Sequence, residues 1–433
     1  MSIADTNSVS HFYYYDDDLG SESDLSISSR SGHFTLPWLT AEPSNTDNTD
    51  ANDGKPKVLI VGAGIGGLAL GILLMKAGVN FQIFERNSEV KPLGSGMSIG
   101  ATFGGLFEQL GILEEFKALG KPMIGLDVFS EDGKQLFHVD TSERALLCGT
   151  NEYIISRPDL YNLLLKQIPP EYIHMGKKVL WFNQDEDGVT IRTWDKKYHH
   201  GDILVGADGS YSAVRQNMYK SLKDKGLLPP SDDTTMPFDY VCLIGQTEVL
   251  DQEDFPELNK PYSKFNSTLG IERSYVSLNK LSAKANDSFR ASELGPEAAQ
   301  AMCKEVRNFK IPGGKDGKGL TLGVLIDRTP KELISKVMLE EKLFDTWYAG
   351  RTVLMGDACH KLNPSGGAGA TTAIQDAVAL ANWISTLQAA TLPDIEAIFK
   401  EYKAERYPAA KQATSTTLLF KGVADRSFMF MDE

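Results

Sequence analysis

The stretch Lys57–Arg86, KVLIVGAGIGGLALGILLMKAGVNFQIFER, decides the fold. It opens with the short apolar run Val58–Val61, which is typical of a strand buried on both faces of a parallel sheet. Glycines in G-x-G-x-x-G spacing follow, then a helix predicted over Leu68–Lys76 and a second strand that ends in Glu85. A strand, a glycine turn, a helix, a strand and an acid within about thirty residues predict a dinucleotide-binding βαβ unit.

Each glycine of this unit has its own predicted task. Gly62 permits the tight turn, Gly64 lets the backbone approach a pyrophosphate, and Gly67 lets the helix pack close to the sheet. The helix N-terminus offers N–H groups and a positive dipole end to the phosphates. Glu85 lies about 20 residues further on, where a carboxylate accepts hydrogen bonds from a ribose diol. The alternative is an ordinary glycine-rich turn, but strand, helix and acid are all in register with the glycines.

Composition sets the class of protein. The chain has 433 residues, 42% hydrophobic and 24% charged, which is ordinary for a soluble enzyme of one large domain or two. The net charge is −14, and residues 1–54 hold ten acidic side chains against one basic side chain. This polar segment buries too little apolar surface to fold, so residues 1–54 are predicted to be a disordered acidic tail. The charge distribution shows no basic patch, so no nucleic-acid partner is predicted.

The cysteines and the hydropathy pattern indicate where the protein works. Cys148, Cys242, Cys303 and Cys359 are far apart and form no C-x-x-C pair, so a reduced protein with no metal framework is predicted. The sequence has no run of 18 apolar residues, so no transmembrane segment is predicted. The N-terminus lacks the features of a secretory signal or a transit peptide. The predicted location is therefore the cytoplasm.

Two further strands run into turns that carry an acid and glycines. Ile203–Val205 leads into GADG with Asp208, and Thr352–Met355 leads into Asp357, a glycine loop and a helix through Ala373–Ile384. Strand ends of this kind converge on one crevice of an open α/β sheet. Two helices entered through glycine loops suit a long dinucleotide whose far end needs its own cradle. A flavin ring that becomes an anion on reduction is such a group.

The rest of the pattern predicts peripheral elements. Residues 124–139 alternate around Asp132-Gly133 and predict a β-hairpin, and a second hairpin is predicted around Asp187-Gly188. Arg157 begins a predicted helix with Pro158 in its first turn. A C-terminal helix is predicted from Asp394 to Pro408, and the pattern beyond Pro408 makes no definite prediction.

Three motifs, taken together and in order, resemble a known family. They are GAGIGG with Glu85, GADGSYSAVR at 206–215 and GDACHKLNPSGGAGA at 356–370. They resemble the single-component FAD-dependent monooxygenases, which comprise aromatic hydroxylases related to p-hydroxybenzoate and salicylate hydroxylase and fungal secondary-metabolite epoxidases. The resemblance spans about residues 56–420.

The resemblance implies an α/β fold. A Rossmann-type FAD-binding parallel sheet carries an inserted mixed or antiparallel substrate-binding sheet and C-terminal helices. One domain is expected over 55–433, with FAD-binding segments at about 55–125, 151–220 and 345–390. The substrate sheet is expected at about 126–150 and 221–344, and the C-terminal helical segment at about 391–433.

Residue roles also follow from the resemblance, position by position. Glu85 is expected at the adenosine ribose and the glycines of the first motif at the pyrophosphate. Asp208 is implied in binding FAD and the nicotinamide donor, although it is also placed to cap the following helix. Ala368 stands where glutamine is frequent in the family, which leaves only a backbone cradle at that point. The full set of implied cofactor-binding residues is Gly62, Gly64, Gly67, Glu85, Gly96, Arg157, Asp208, Asp357, Gly367, Gly369 and Ala370.

The chemistry implied is reduction of FAD by NADPH or NADH, followed by capture of O₂ as a flavin C4a-hydroperoxide. One oxygen then passes to an apolar or aromatic small molecule, by hydroxylation or epoxidation. A second G-x-G-x-x-G unit is absent from the sequence, which favours a transient visit by the nicotinamide. No side chain stands out as a catalytic acid or base and no metal is expected. His360 and Cys359 are interpreted as packing residues.

Other classes share the fold. FAD-dependent halogenases and prenyl reductases are one alternative, although the W-x-W-x-I-P motif of tryptophan-type halogenases is absent. A non-catalytic FAD-fold binding protein, like the carriers of prenylated GTPases, is another, and it would not need the glycine loop at 366–370.

Overall fold

The structure is a computed structural model that describes residues 55–89, 96–129, 135–247, 250, 262–264, 268–271, 274–280, 295–311, 320–363 and 367–424. The predicted acidic tail at 1–54 and the turn of the first predicted hairpin lie outside these residues, as does part of the third glycine motif, 364–366.

A six-stranded sheet forms the centre of the described structure, in the order β21-β22-β12-β1-β2-β8. Strands β22, β12, β1, β2 and β8 run parallel, and β21 is antiparallel at the edge. The apolar run of β1 is completely buried, as its composition predicts. The strands are β1 (Val58–Val61), β2 (Phe81–Phe84), β8 (Ile173–His174), β12 (Ile203–Gly206), β21 (Tyr348–Ala349) and β22 (Thr352–Leu354).

A seven-stranded mixed sheet is the second large unit, in the order β19-β13-β16-β15-β14-β5-β6. Its neighbours are antiparallel except for the parallel pair β14 and β5, which joins distant parts of the chain. The strands are β5 (Gly125–Phe129), β6 (Gln135–Asp140), β13 (Phe238–Gln246), β14 (Tyr262–Lys264), β15 (Thr268–Ile271), β16 (Ser274–Lys280) and β19 (Ile334–Glu340).

Smaller sheets complete the strands. One has the order β11-β10-β9 and another β3-β7-β4, while β17 pairs with β18 and β20 with β23. Their bounds are β3 (Gly96–Ile99), β4 (Lys121–Met123), β7 (Glu152–Ser156), β9 (Val179–Gln184), β10 (Val189–Thr193), β11 (Tyr198–Gly201), β17 (Lys310–Ile311), β18 (Leu320–Thr321), β20 (Lys342–Leu343) and β23 (His360–Lys361).

The helices are α1 (Ile65–Lys76), α2 (Gly104–Leu110), α3 (Leu113–Leu119), α4 (Ser142–Cys148), α5 (Arg157–Leu165), α6 (Ala213–Asp224), α7 (Pro296–Val306), α8 (Leu322–Asp327), α9 (Gly369–Ser385) and α10 (Leu392–Ala424). Helix α1 packs against α9 and α5, and α9 packs against α10. The core that they enclose with the six-stranded sheet is continuous with the β9–β11 sheet.

The fold class predicted from the sequence is confirmed: an α/β protein with a parallel sheet, an inserted mixed sheet and C-terminal helices. Both predicted hairpins are confirmed as antiparallel pairs, β5 with β6 and β9 with β10.

Two helices extend beyond their predicted bounds. Helix α1 begins at Ile65 and not at Leu68, because Gly64 already stands at its N-cap. The C-terminal helix was predicted as far as Pro408 with no definite prediction beyond it, and α10 continues to Ala424 with Pro408 inside it. Proline removes one backbone hydrogen bond, but buried side chains on both sides of it, Tyr402 and Ala410, keep the helix packed against the core.

Among the described helices, none is both long enough and apolar enough to cross a membrane.

Candidate functional site

Four strands of the parallel sheet end side by side. Val61 is level with Phe84 on one side and Gly206 on the other, and Gly206 is level with Leu354. The segments that follow these strands therefore share one edge of the sheet. They carry the glycine motif, Glu85, Asp208 and Asp357. The predicted convergence of the three motifs is confirmed.

The glycine motif has two tight positions and one open position. Gly62 has φ +106°, and a Cβ there would lie 2.3 Å from the carbonyl oxygen of Ala207. A Cβ on Gly67 would lie 2.0 Å from the carbonyl oxygen of Gly62, so α1 fits against the strand end only without a side chain. A Cβ on Gly64 would meet no atom within 4 Å. Open space therefore lies in front of the α1 N-terminus, and the first turn of α1 carries no acidic side chain that would repel an anion.

Glu85 lies against the same loop. Its carboxylate accepts hydrogen bonds from the N–H of Ala63 and the N–H of Asn87, each at 2.9 Å. The side chain is 9% exposed. Because each carboxylate oxygen has two acceptor sites, both oxygens retain capacity for ribose hydroxyls.

Gly96 lies on a neighbouring sheet, beside the residue that precedes Arg157. Gly96 pairs with Ser156, whose hydroxyl caps α5 by accepting from the N–H of Asp159 at 3.2 Å. Arg157 is the exposed first residue of that helix. The same strand reaches the third motif, because a Cβ on Gly367 would lie 3.8 Å from Cβ of Ser98.

Asp208 caps helix α6 with one carboxylate oxygen and leaves the other without a partner in the described residues. Its Oδ2 accepts from the N–H of Ala213 at 2.6 Å and of Val214 at 3.2 Å, which caps α6. Its Oδ1 is buried and has no hydrogen-bond partner in the described part of the chain. Burial raises the pKa of Asp208, although these hydrogen bonds act against that rise. One carboxylate oxygen is thus left for a ligand donor.

Asp357 links the second and third motifs. Its Oδ2 accepts from the hydroxyl of Ser210 at 3.1 Å and from Nζ of Lys361 at 2.9 Å. The residue before it, Gly356, has φ +59°, a conformation that glycine adopts without strain.

Helix α9 presents a second glycine-entered N-terminus. Gly367 has φ +62°, and a Cβ on Gly369 would meet nothing within 4 Å. The first N–H groups of any α-helix have no intrahelical acceptor, and here they include those of Gly369 and Ala370. Ala368 occupies the N-cap and its side chain makes no capping bond to them. The α9 helix lies close to α1, since a Cβ on Gly66 would lie 3.2 Å from the Cβ of Ala373.

Sequence reasoning missed a buried ionic cluster behind this turn. Asp376 is fully buried, and its Oδ2 accepts from the N–H of Gly356 at 2.9 Å and lies 2.5 Å from Nε2 of His360. Its Oδ1 accepts from Nε of Arg406 at 2.9 Å. Asp376 thereby connects the end of β22, helix α9 and helix α10. The available signal was one acid within the apolar, alanine-rich sequence of α9.

Attraction between the side chains of this cluster opposes the effect of burial on their charged forms. Burial disfavours the charged form of His360, yet the attraction of Asp376 outweighs it and raises the pKa of His360. Burial likewise opposes the Asp376 anion, but His360 and Arg406 lower the pKa of Asp376. Cys359 lies close enough to complete a three-ligand metal set with His360 and Asp376. However, both oxygens of Asp376 already accept donors, and the Arg406 cation disfavours a second cation. His360 is buried, in agreement with a packing role, and it also pairs with Asp376.

Comparison with known proteins identifies the class. Residues 55–239 and 325–417 match the family model described as FAD binding domain, so the chain belongs to this family. The FAD-dependent monooxygenase ptmM of Penicillium ochrochloron is 29% identical over 387 residues, covering 84% of this chain and 88% of that protein. The aurachin C monooxygenase/isomerase of Stigmatella aurantiaca is 29% identical over 350 residues, covering 81% and 85%. The predicted enzyme class, FAD-dependent monooxygenase, and its cofactor FAD are confirmed.

Solved structures share the fold. Klebsiella pneumoniae HpxO complexed with FAD and uric acid has a TM-score of 0.66 at 21% identity, covering 87% of this chain and 89% of that one. Pseudomonas aeruginosa PqsL in complex with 2-aminobenzoylacetate has a TM-score of 0.65 at 21% identity, covering 86% and 98%. The open cradle at Gly64 and the unpartnered Oδ1 of Asp208 fit FAD in this chain as well.

The glycines give a matched test of the cradle. Gly64→Ala is expected to leave the stability of the apoprotein unchanged, because its methyl group enters open space, and to raise the Kd for FAD at least about tenfold. Gly67→Ala is expected to lower the free energy of unfolding by about 3 kcal/mol, because its methyl group overlaps a carbonyl. Denaturant titration and FAD titration measure the two effects.

Gly105→Ala is the control, since a Cβ at that exposed position in α2 also meets no atom within 4 Å. It is expected to leave FAD affinity unchanged. Equal FAD affinity in Gly64→Ala and Gly105→Ala would contradict the cradle at Gly64.

The ionic cluster gives a second test. Asp376→Asn is expected to lower the free energy of unfolding by about 3–5 kcal/mol, because it leaves two cations in the core without their anion. Asp233→Asn, which breaks the exposed pair with Lys223, is the comparison and is expected to cost about 0–1 kcal/mol. Urea unfolding of both variants measures the difference, and a similar loss in both would show that the buried charge is not required.

Proposed function

We propose that this chain takes electrons from NADPH or NADH and uses O₂ to hydroxylate or epoxidise an apolar or aromatic small molecule. The observation that carries this proposal is the presence of two glycine-entered helix N-termini, α1 and α9, beside one row of strand ends. Two such termini suit a ligand with a pyrophosphate at one part and an electron-accepting ring at another. FAD supplies the redox chemistry when bound, and the protein binds, orients and shields it.

We assign the residues as follows. The N–H groups beside Gly64 bind the pyrophosphate, and Glu85 accepts from the ribose hydroxyls. Asp208 and Asp357 bind polar groups of FAD along the same edge. Gly96, on the adjoining sheet, and Arg157, at the start of α5, also bind FAD. The N–H groups at Gly367, Gly369 and Ala370 face the flavin ring and stabilise its negative charge on reduction.

An apolar face of the mixed sheet supports the class of substrate. Val241 and Leu243 of β13 pack under helices α7 and α8. The alternate residues point the other way, and there Cys242 and Leu339 are buried with Ile244 and Val337 against them. This second face is also apolar and forms a cluster separate from that of α7 and α8, which supports an apolar substrate.

The mixed sheet is also attached to the cofactor edge. The hydroxyl of Tyr211, in the turn after Asp208, donates to Glu340 at the end of β19 at 2.8 Å. Strand β20, which follows directly, pairs with β23 just after Asp357. These contacts support a substrate held between the mixed sheet and the flavin. The unpaired cysteines support the cytoplasmic location that we infer.

Spectroscopy of the purified full chain tests the proposal. We expect FAD absorbance to bleach on anaerobic addition of NADPH or NADH and to return with O₂. With a panel of apolar and aromatic compounds, isotopically labelled O₂ is expected to give a product that carries one labelled oxygen. Gly64→Ala is the matched control and should show smaller changes at an FAD concentration that just saturates the wild type, because its higher Kd lowers the fraction of protein with FAD bound.

A chain that binds FAD but is not reduced by either nicotinamide would contradict the proposed electron donor. Reduction and reoxidation that yield only peroxide with every compound would contradict the proposed class of substrate. A protein that cannot be reconstituted with FAD would favour a non-catalytic binding role.

A further inference from the structure

A buried hydroxyl on α5 is not accounted for by the packing of the protein. Tyr161 is 5% exposed and its ring belongs to the main core. Its hydroxyl has no hydrogen-bond partner in the described part of the chain. Such a group costs stability unless a partner is supplied, because desolvation removes its bonds to water.

The hydroxyls of two other buried tyrosines do have hydrogen-bond partners within the protein. The hydroxyl of Tyr219 donates to the carbonyl of Thr346 at 2.8 Å. The hydroxyl of Tyr402 donates to the carbonyl of Leu354 at 3.3 Å. Tyr161 therefore differs from comparable residues of the same core, and its hydroxyl is available to a ligand.

The position of Tyr161 indicates which ligand. It lies four residues after Arg157, so both are on one face of α5. Helix α5 packs against α1, the helix of the glycine motif. Tyr161 also interacts electrostatically with Glu85 and with Arg157. The hydroxyl thus belongs to the neighbourhood of two residues assigned above to FAD.

The hydroxyl is a donor at neutral pH. Burial raises the pKa of Tyr161 and the negative charge of Glu85 raises it further, whereas Arg157 lowers it. The carboxylate oxygens of Glu85 accept from Ala63 and Asn87, and the hydroxyl makes no hydrogen bond to them. No acceptor for this protonated phenol lies in the described part of the chain, so an oxygen of a ligand, such as a ribose or phosphate oxygen, can take that place.

We propose that Tyr161 is a further cofactor-binding residue whose hydroxyl donates a hydrogen bond to the adenosine diphosphate half of FAD. This inference rests on the proposed placement of that half beside Gly64 and Glu85. It adds a buried neutral donor to a site otherwise built from backbone N–H groups and carboxylates.

The test is Tyr161→Phe, for which the inference predicts two effects of opposite sign. The melting temperature of the apoprotein is expected to stay the same or to rise by about 1–3 °C, because an unsatisfied buried hydroxyl is removed. The Kd for FAD is expected to rise about tenfold, because the bond to the ligand is lost. The Kd for ADP is expected to rise by a similar factor, and the Kd for FMN to stay within about twofold of the wild type.

Tyr219→Phe is the matched control. Its hydroxyl already has a protein acceptor, so this variant is expected to lower the melting temperature of the apoprotein and to leave the Kd for FAD within about twofold of the wild type.

The outcomes separate the two levels of the argument. An unchanged Kd for FAD in Tyr161→Phe, while the wild type binds FAD, would overturn the inference and leave the proposed site intact. A lower melting temperature of the apoprotein with unchanged Kd would do the same, by showing a structural hydroxyl. A weakened FMN affinity with unchanged ADP affinity would overturn the assignment to the adenosine half. A wild-type chain that binds neither FAD nor ADP would overturn the site and the inference together.

Discussion

The alignment of parallel strand ends is the constraint on which the site depends. Strands β2, β1, β12 and β22 are hydrogen-bonded in register, so segments far apart in the chain finish at one edge. The alignment is tight at its centre, where Gly67 lies against Gly62 and Gly62 against Ala207. A ligand along this edge is therefore addressed by backbone groups whose positions the sheet determines, and the carboxylates of Glu85, Asp208 and Asp357 are added around them.

Much of this arrangement was accessible from the sequence, because its signals are local. The glycines mark places where a Cβ would collide with the backbone or with a ligand, and the apolar run at Val58–Val61 marks a strand buried on both faces. Asp208, Asp357 and Glu85 follow such strands directly, and parallel strands end together. The parallel topology therefore allowed the prediction that the three separate motifs meet at one edge of the sheet.

Pairings across long distances in the chain were not accessible. In the sequence, Asp376 appears only as one acid in a predicted helix. Nothing local shows that His360, Arg406 and the N–H of Gly356 surround it. The hydroxyl of Tyr161 is notable because it makes no hydrogen bond within the described part of the chain. No pattern of residues in the sequence records such an absence. The extent of the C-terminal helix beyond Pro408 was open for the same reason, since packing around Tyr402 and Ala410 outweighs the local effect of a proline.

The order of strands in the central sheet also bears on how the chain folds during synthesis. β12 has β22 as its neighbour, and five of the seven strands of the mixed sheet, β13 to β16 and β19, are made between them. A ribosome therefore releases β1, β2 and β12 long before the strand and the helix that cover their open side. Pairings of such large sequence separation form slowly, and the nascent sheet has an uncovered apolar edge in the meantime. The part of the site that follows β22, including Asp357 and the N-terminus of α9, is consequently added only when the last quarter of the chain is made.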